Sequence, residues 1–437
     1  CNIESGMRLA CYTYAQKGLK ITVPEDVYLK ILTSIVQKPY PYLPIVTEKK
    51  IIIEPPCVED QRSDVRRLLD AAGVKKHCLS LDRLCTLPYF IRTSSEYYAL
   101  LKSKKLYNFS SSSINYALTV DIGTTTISAH LTDLSTGEIL AEHGEPNKQA
   151  AYGADVISRI QFDMEFRNKN YSGNSPLRHL ITEQLNSILK LFLQKFELED
   201  VAVISIAGNT TMLHLLCGLP TEHIGKVPFT PVILLDPEFK AKELGICSEA
   251  PVFLMPSISS YVGADIVAAM LTAEVWKYQD EPFLLIDIGT NAETVLGCGG
   301  NYYACSAAAG PCFEGATIEC GVSAQNGAID SVSYSEKTGF RYTTIGTAPP
   351  KGICGSGIFN VLELMLDHNL MDESGYIQKD DSKLGRHIED DAFFITDSVF
   401  FSQKDIREVQ MAKAAVRAGI DSLLLYAGLK EQDIKKL

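Results

Sequence analysis

The sequence contains no uninterrupted apolar run of the ~18 residues that a membrane-spanning helix requires. Positive charge is in deficit: 41 Lys and Arg stand against 53 Asp and Glu, for a formal net charge of -12. Such a chain lacks the basic footprint of a nucleic-acid or anionic-membrane binder, so neither partner is expected. Its 12 cysteines, spread over 437 residues, are too sparse for a disulfide scaffold, and none forms a Cys-x-x-Cys pair. A reduced, cytoplasmic protein with buried free thiols is the simpler reading. The first residues, CNIESGMRLA, have no basic stretch leading into an apolar one and do not read as a secretory signal.

What is present is a core: 46% of residues are hydrophobic, enough for two or three domains. Residues 1–25 alternate in short β-like stretches around a Lys-Gly turn. Residues 26–50 carry QKPYPYLP, whose prolines exclude a regular helix or central strand, and read as a linker. A middle domain over 51–110 opens with a strand, KKIIIEPP, and a helix, SDVRRLLDAAG, capped by Ser63 and ended by Gly73. The stretch YNFSSSSIN (107–115) reads as a serine-rich joint without packing potential, and marks a domain boundary. Both ends read as cut from a longer protein: residue 1 is Cys, and the final helix runs into an unfinished connector.

Beyond the joint the pattern becomes α/β. Three apolar stretches, YALTVD, ISAHLTD and EILAEHG, are separated by turns and predict a β-meander over 116–143. Residues 177–196 place Leu177, Leu180, Ile181, Leu185, Ile188, Leu189 and Phe192 at helical spacing. VAVISIAGN is a buried strand, and DIREVQMAKAAVRAGIDSLLLYAG is a helix capped by Ser402 or Asp405. A second meander, FLLID, AETVLG and YYACSA, occupies 283–306. Asp121 and Asp287 stand at equivalent places in the two, each opening an Asp-Ile-Gly-Thr turn. Their separation is too long for a solenoid repeat, and suits two related halves, about 115–200 and 280–437, facing each other across connecting segments.

A glycine turn rich in hydroxyls presents N–H and O–H donors suited to phosphate oxygens, and a carboxylate at the end of the preceding strand suits Mg²⁺. One copy is an ordinary hairpin; two opposed copies grip a triphosphate and its metal from both sides. Other features read blandly. His214 sits in an apolar helix as a satisfied core histidine, and Asp155 and Asp265, each in a Gly-Ala-Asp helix start, serve equally well as caps or as cleft residues.

These motifs resemble the acetate kinase, sugar kinase, Hsp70 and actin (ASKHA) superfamily, with its duplicated ribonuclease-H-like domain. DIGTTT (121–126) and DIGTNAE (287–293) look like its two phosphate loops, and ISIAGNTTMLHLLCG (204–218) and REVQMAKAAVRAGI (407–420) like its connecting segments. With NKQAAYGADVISRI, YVGADIVAAM, CSAAAGPCFEGATI and GICGSGI, the chain is similar over nearly its whole length to the reductive activators of corrinoid proteins. That resemblance implies a body over 115–437 that binds ATP, preceded by the end of a plant-type [2Fe–2S] domain. Cys11, in GMRLAC, is then the last cluster ligand; the rest of the cluster motif and the family's C-terminal adenosine loop are absent from the sequence.

The resemblance implies that Asp121 and Asp287 hold Mg²⁺ and orient water, and that Glu293 positions the attacking water. Gly123, Thr124, Thr125 and Thr126 bind phosphate from one side and Gly289, Thr290 and Asn291 from the other. Gly355, Ser356 and Gly357 line the cleft, Asn209 faces it, Lys413 approaches the nucleotide, and CSAAAG (305–310) meets the partner. The implied activity is ATP-dependent return of a corrinoid protein from cobalt(II) to cobalt(I) by a homodimer. A small-molecule kinase, a nucleotide-gated binding module that hydrolyses little, and an activator of a hydratase-type enzyme are the competing readings.

Overall fold

The computed structural model describes residues 44–437 apart from 95, 170–174, 236, 237 and 379–383. Cys11 and the rest of residues 1–25, expected to end a [2Fe–2S] domain, and most of the expected linker lie outside the described residues.

The first described unit is a four-stranded sheet with two helices. Strands β1 (Thr47–Ile52), β2 (Lys76–His77), β3 (Glu96–Lys102) and β4 (Lys105–Ser110) stand in the order β1-β3-β4-β2. Helix α1 (Asp64–Ala72) starts where Ser63 accepts from Arg66 N and stops at Gly73 in a left-handed conformation, φ 76°. With α2 (Leu81–Phe90) it closes a core of Ile51, Leu68, Leu87, Tyr97 and Phe109.

The serine-rich stretch is not the loose joint that its composition predicts. Its first residues are strand β4, in which Phe109 is fully buried, and Ile114 packs with Val46, Leu100 and Ala117. The serines are held by carboxylates. Ser110 and Ser111 donate to Glu199 at 2.6 and 2.7 Å, and Ser113 donates to Glu48 at 2.8 Å. Composition hid this because both acceptors lie far away in sequence.

The next sheet contains β5 (Tyr116–Ile122), β6 (Thr126–Asp133), β7 (Ile139–Pro146), β8 (Val203–Gly208), β9 (Glu238–Lys240) and β10 (Pro251–Leu254), in the order β7-β6-β5-β8-β10-β9. The meander β5-β6-β7 is antiparallel, and β8 joins β5 in parallel, as a crossover through helices requires. Those helices are α3 (Val156–Lys169) and α4 (Pro176–Lys195); α5 (Thr210–Cys217) follows β8. The apolar stripe of α4 packs on Leu118, Val120, Ile127 and Leu131 of the sheet.

Helix α6 (Ala264–Thr272) leads to the second meander, β11 (Phe283–Ile288), β12 (Ala292–Cys298) and β13 (Asn301–Ala307), again antiparallel. The duplication continues beyond the hairpins. Phe283 pairs in parallel with Lys436, after helix α8 (Gln403–Ala427), as Ala117 pairs in parallel with Val203 after α4. Ser402 and Asp405 together form the capping box of α8, so both proposed caps act. Between β13 and α8 lie two further three-stranded sheets and helix α7 (Gly355–Asp367), which none of the sequence patterns above describes. Ile266 of α6 packs with Val262 against Val295 of β12, while Gly263 before the helix lies against Asn209 after β8, so α6 ties the first sheet to the second meander.

Candidate functional site

The two Asp-Ile-Gly-Thr turns connect β5 to β6 and β11 to β12. The first spans four residues between the pair Ile122↔Ile127; the second spans three between Ile288↔Ala292. The first turn is held from behind. Asn147 donates through Nδ2 to Gly123 O at 2.8 Å and through its backbone N to Thr125 O at 2.9 Å. Arg159 donates through Nη2 to Thr124 O at 2.6 Å. In a planar trans peptide the C=O and the following N–H point in opposite directions. Three consecutive carbonyls fixed to the rear therefore turn the N–H groups of Thr124, Thr125 and Thr126 toward the cleft. This is the donor array that an anion site needs.

Arg159 is fully buried, and its other donors reach Gly153 O at 2.9 Å and Gln149 Oε1 at 3.3 Å. Burial pulls its pKa down to about 10, yet it remains charged at neutral pH and sets a positive charge behind the turn. Neither Asn147 nor Arg159 was legible as a site residue. Both lie in a motif that marks the family, but their partners are chosen by the return of α3 to the sheet.

The second turn is held by the stretch that follows β13. Gly310 N donates to Thr290 O at 2.9 Å. Glu314, at the end of the short helix Pro311–Glu314, accepts from Thr290 N at 2.8 Å and from Thr290 Oγ1 at 2.7 Å. Its other oxygen accepts from Thr125 Oγ1 of the first turn at 3.2 Å. One carboxylate thus bridges both turns. The side chains of Thr124, Thr126 and Asn291 form no hydrogen bond among the described residues.

Four further carboxylates converge here. Register places Asp287 opposite Glu293, and Glu293 opposite Ser306, so the three share one face of the second meander. Ser306 donates to Glu293 at 3.1 Å. Asp265 arrives on the first turn of α6, where its Oδ1 accepts from Ile266 N at 2.8 Å. Asp121 stands at the end of β5 on the first meander; it and Asp287 are exposed, whereas Asp265 and Glu293 are half-buried. Enclosure pushes the Asp121 carboxyl up to about 6, with the charges of Asp265 and Asp287 adding to it. Glu293 is pushed up to about 7 by burial and by Asp265, against the hydrogen bond from Ser306, with Asp287 adding to the rise. Burial also raises Asp287 and Asp265, the latter helped by Asp287. Mutual repulsion of this kind is relieved by a hard cation.

The remaining predicted residues divide. Asn209 caps α5 by accepting from Thr211 N at 3.0 Å and is 6% exposed. Gly263 packs against it: a Cβ there would lie 2.6 Å from Asn209 Cα, so only glycine lets α6 approach and deliver Asp265. Gly355 and Gly357 open α7, pressed against Phe313 O and Ile329 O, and Ser356 Oγ lies 3.4 Å from Cys354 Sγ. These three are set by packing of α7. Lys413 is exposed on α8 and makes no hydrogen bond or ion pair among the described residues.

Asp155 accepts from Ser158 N at 2.8 Å, an ordinary cap, whereas Asp265 faces the other cleft carboxylates. His214 is a satisfied core histidine: Nδ1 bonds Thr210 O at 2.7 Å, and Nε2 accepts from Val232 N at 3.0 Å. The described cysteines are free thiols, but burial holds only for Cys312 and Cys354, while Cys57, Cys85 and Cys247 are exposed. Among the described residues no group of three or more His, Cys, Asp or Glu is arranged to hold a metal ion by itself, and no helix is long and apolar enough to cross a membrane.

Comparison with known proteins agrees with this geometry. The model of the RACo middle region matches residues 116–278, and that of the C-terminal domain of RACo, the ASKHA domain, matches 281–437. The chain is 29% identical to the corrinoid activation enzyme RamQ of Eubacterium limosum, over 98% of this chain and 76% of that protein. It is 26% identical to the [Co(II) methylated amine-specific corrinoid protein] reductase of Methanosarcina barkeri, over 73% of this chain and 61% of that protein. A solved reductive activator for corrinoid, iron–sulfur protein superposes with a TM-score of 0.76 at 31% identity, covering 92% of this chain and 67% of that one. With its two Asp-Ile-Gly-Thr hairpins on a duplicated ASKHA body, the chain belongs to the family of reductive activators of corrinoid proteins.

Proposed function

We propose that the protein reactivates a corrinoid protein, returning cobalt(II) to cobalt(I) with an electron from a [2Fe–2S] cluster, and that ATP makes the uphill transfer favourable. The family supports this reading. The observation that carries it is the approach of two Asp-Ile-Gly-Thr turns from different meanders, close enough for one glutamate to touch a threonine of each. The kinase and the binding-module alternatives use the same cleft, but the relatives named above act on corrinoid proteins and favour neither.

In this reading the N–H groups of 124–126, with Gly123, bind phosphate from one side. Gly289, Thr290 and Asn291 bind it from the other, and the buried Arg159 charge attracts it. Asp121 and Asp287 hold Mg²⁺. The donor set fits: it is all carboxylate oxygen, raised in proton affinity by desolvation and, at Asp121, by the neighbouring charges as well, and Mg²⁺ takes one or two protein carboxylates and completes its shell with phosphate and water. The ion would supply charge neutralisation between the phosphates and the four carboxylates. Glu293, fixed by Ser306, orients the attacking water. Asn209 and Gly355, Ser356 and Gly357 shape the walls, and Lys413 approaches the nucleotide.

The cluster supplies a one-electron carrier; Cys11 is its proposed ligand from this chain. Residues 1–25 then end the ferredoxin-type domain, 26–50 link it, 51–110 form a middle domain, and 115–437 form the ATPase body. Residues 305–310 face the corrinoid partner, and a cytoplasmic homodimer is the proposed assembly. Nucleotide acts by binding one domain arrangement more tightly than another, since a ligand shifts an equilibrium only by that difference.

Calorimetric titration of Mg·ATP tests the site. Micromolar binding is expected, with loss in Asp287→Ala. The activity is read as ATP-dependent bleaching of the cobalt(II) absorbance of a corrinoid protein supplied with a low-potential reductant. Absence of Mg·ATP binding, or cobalt reduction indifferent to ATP, refutes the reading.

A further inference from the structure

We propose that Glu314 is an internal stand-in for phosphate: its carboxylate occupies the donors of both turns when no nucleotide is bound, and the incoming phosphate must displace it. This rests on the reading of the two turns as the nucleotide site. Three donors on residues assigned to phosphate, Thr290 N, Thr290 Oγ1 and Thr125 Oγ1, already serve this one side chain, at 2.8, 2.7 and 3.2 Å. An N–H or O–H donates one hydrogen. A phosphate oxygen and a carboxylate oxygen therefore cannot both take the same donor, and two anions on one donor set repel. Competition follows from the geometry.

The position of Glu314 is built rather than accidental. Its short helix is tied to the second turn by Gly310 N, which donates to Thr290 O at 2.9 Å. It is braced on α7 by Phe313, whose ring stacks on Phe359 at 4.9 Å with an interplanar angle of 9°. Gly289 lies beside it, within ordinary contact distance of Glu314 Oε1. The contact also joins the two halves, since Thr125 belongs to the first meander and Glu314 follows the second. Glu314 thus keeps the turns together without ligand and gives way to a ligand carrying more negative charge and more oxygens. The helix that carries it follows directly on residues 305–310, where the corrinoid partner is proposed to dock.

The test is calorimetric titration of Mg·ATP, and separately of inorganic tripolyphosphate with Mg²⁺, into the wild-type chain, Glu314→Gln, Glu314→Ala and Asp287→Ala. Removing a competing anion tightens binding. Glu314→Ala is expected to bind both ligands about tenfold more tightly than wild type, and Glu314→Gln, which keeps an acceptor without the charge, by an intermediate factor. A residue that merely braced the turns would instead weaken binding when removed. Unchanged or weaker binding in both Glu314 variants, with wild-type binding intact and lost in Asp287→Ala, overturns the displacement proposal and leaves the nucleotide site standing. Binding by none of the four proteins overturns both.

Discussion

Arg159→Met is the sharpest probe of how the first turn is built. Methionine fills much of the same volume but carries no donors. Burial that pulls the guanidinium down to about 10 amounts to roughly 3 kcal/mol against its charged form. That cost disappears in the variant. Against it stand four lost hydrogen bonds, to Thr124 O, Gly153 O, Gln149 Oε1 and, more weakly, Met212 Sδ. A hydrogen bond from a charged donor contributes about 1.5–3 kcal/mol, and the acceptors are left orphaned beside a buried side chain. The net expectation is a loss of about 3 kcal/mol, read from urea unfolding followed by the fluorescence of Trp276, the chain's single tryptophan. Mg·ATP affinity should fall at least about tenfold, because the carbonyls no longer hold the N–H groups toward the cleft. Arg159→Lys separates charge from geometry, since it keeps the charge but not the planar fork; it is expected to bind Mg·ATP with an intermediate loss. If Arg159→Met unfolds and binds Mg·ATP like the wild type, the turn is not organised from behind, and the account of its donors is wrong.

Gly263→Ala should destabilise by about 1–3 kcal/mol in thermal unfolding and weaken Mg·ATP binding, because the added Cβ would lie 2.6 Å from Asn209 Cα and 2.8 Å from Thr210 N, both backbone atoms. Unchanged unfolding would show that α6 is not seated there. The cleft carboxylates also predict a pH dependence. Asp121 and Glu293 have folded pKa values raised to about 6 and about 7, so the folded chain holds more protons than the unfolded one between pH ~4 and ~7. Their contribution to stability is greatest below that window and is lost as pH rises through it. The midpoint of thermal unfolding without nucleotide should therefore gain more at pH 8 than at pH 5 when Asp265→Asn removes one of the repelling charges; an equal change at both pH values would contradict the electrostatic account.

The periodic and capped elements were legible in the chain alone. Helix α1 runs between the Ser63 cap and the Gly73 stop because both signals are local. The stripe from Leu177 to Phe192 forms α4, and the two meanders appear with their turns, because alternation and turn chemistry act within a few residues. The repeated Asp-Ile-Gly-Thr pointed to two related halves for the same reason. The segment between β13 and α8 escaped because its strands are short and its sheets join distant residues. The packing of the serine-rich stretch escaped because Glu199 and Glu48 are 88 and 65 residues away from the serines they receive.

The chain by itself determined which residue types stand at the turns: a carboxylate at the end of each strand, a glycine, then hydroxyls, twice. Only the tertiary structure decided which carboxylates share the cleft and which donors are already taken. Asp265 and Asp155 open with the same tripeptide; packing of Ile266 on Val295 sends one to the cleft, while the other only caps its helix. Glu314 lies 24 residues beyond Thr290 and 189 beyond Thr125, and no local pattern relates them. A hydrogen bond between residues so far apart depends on where the two meanders come to rest, and that is settled by the packing of α6 and α7 rather than by any stretch of sequence.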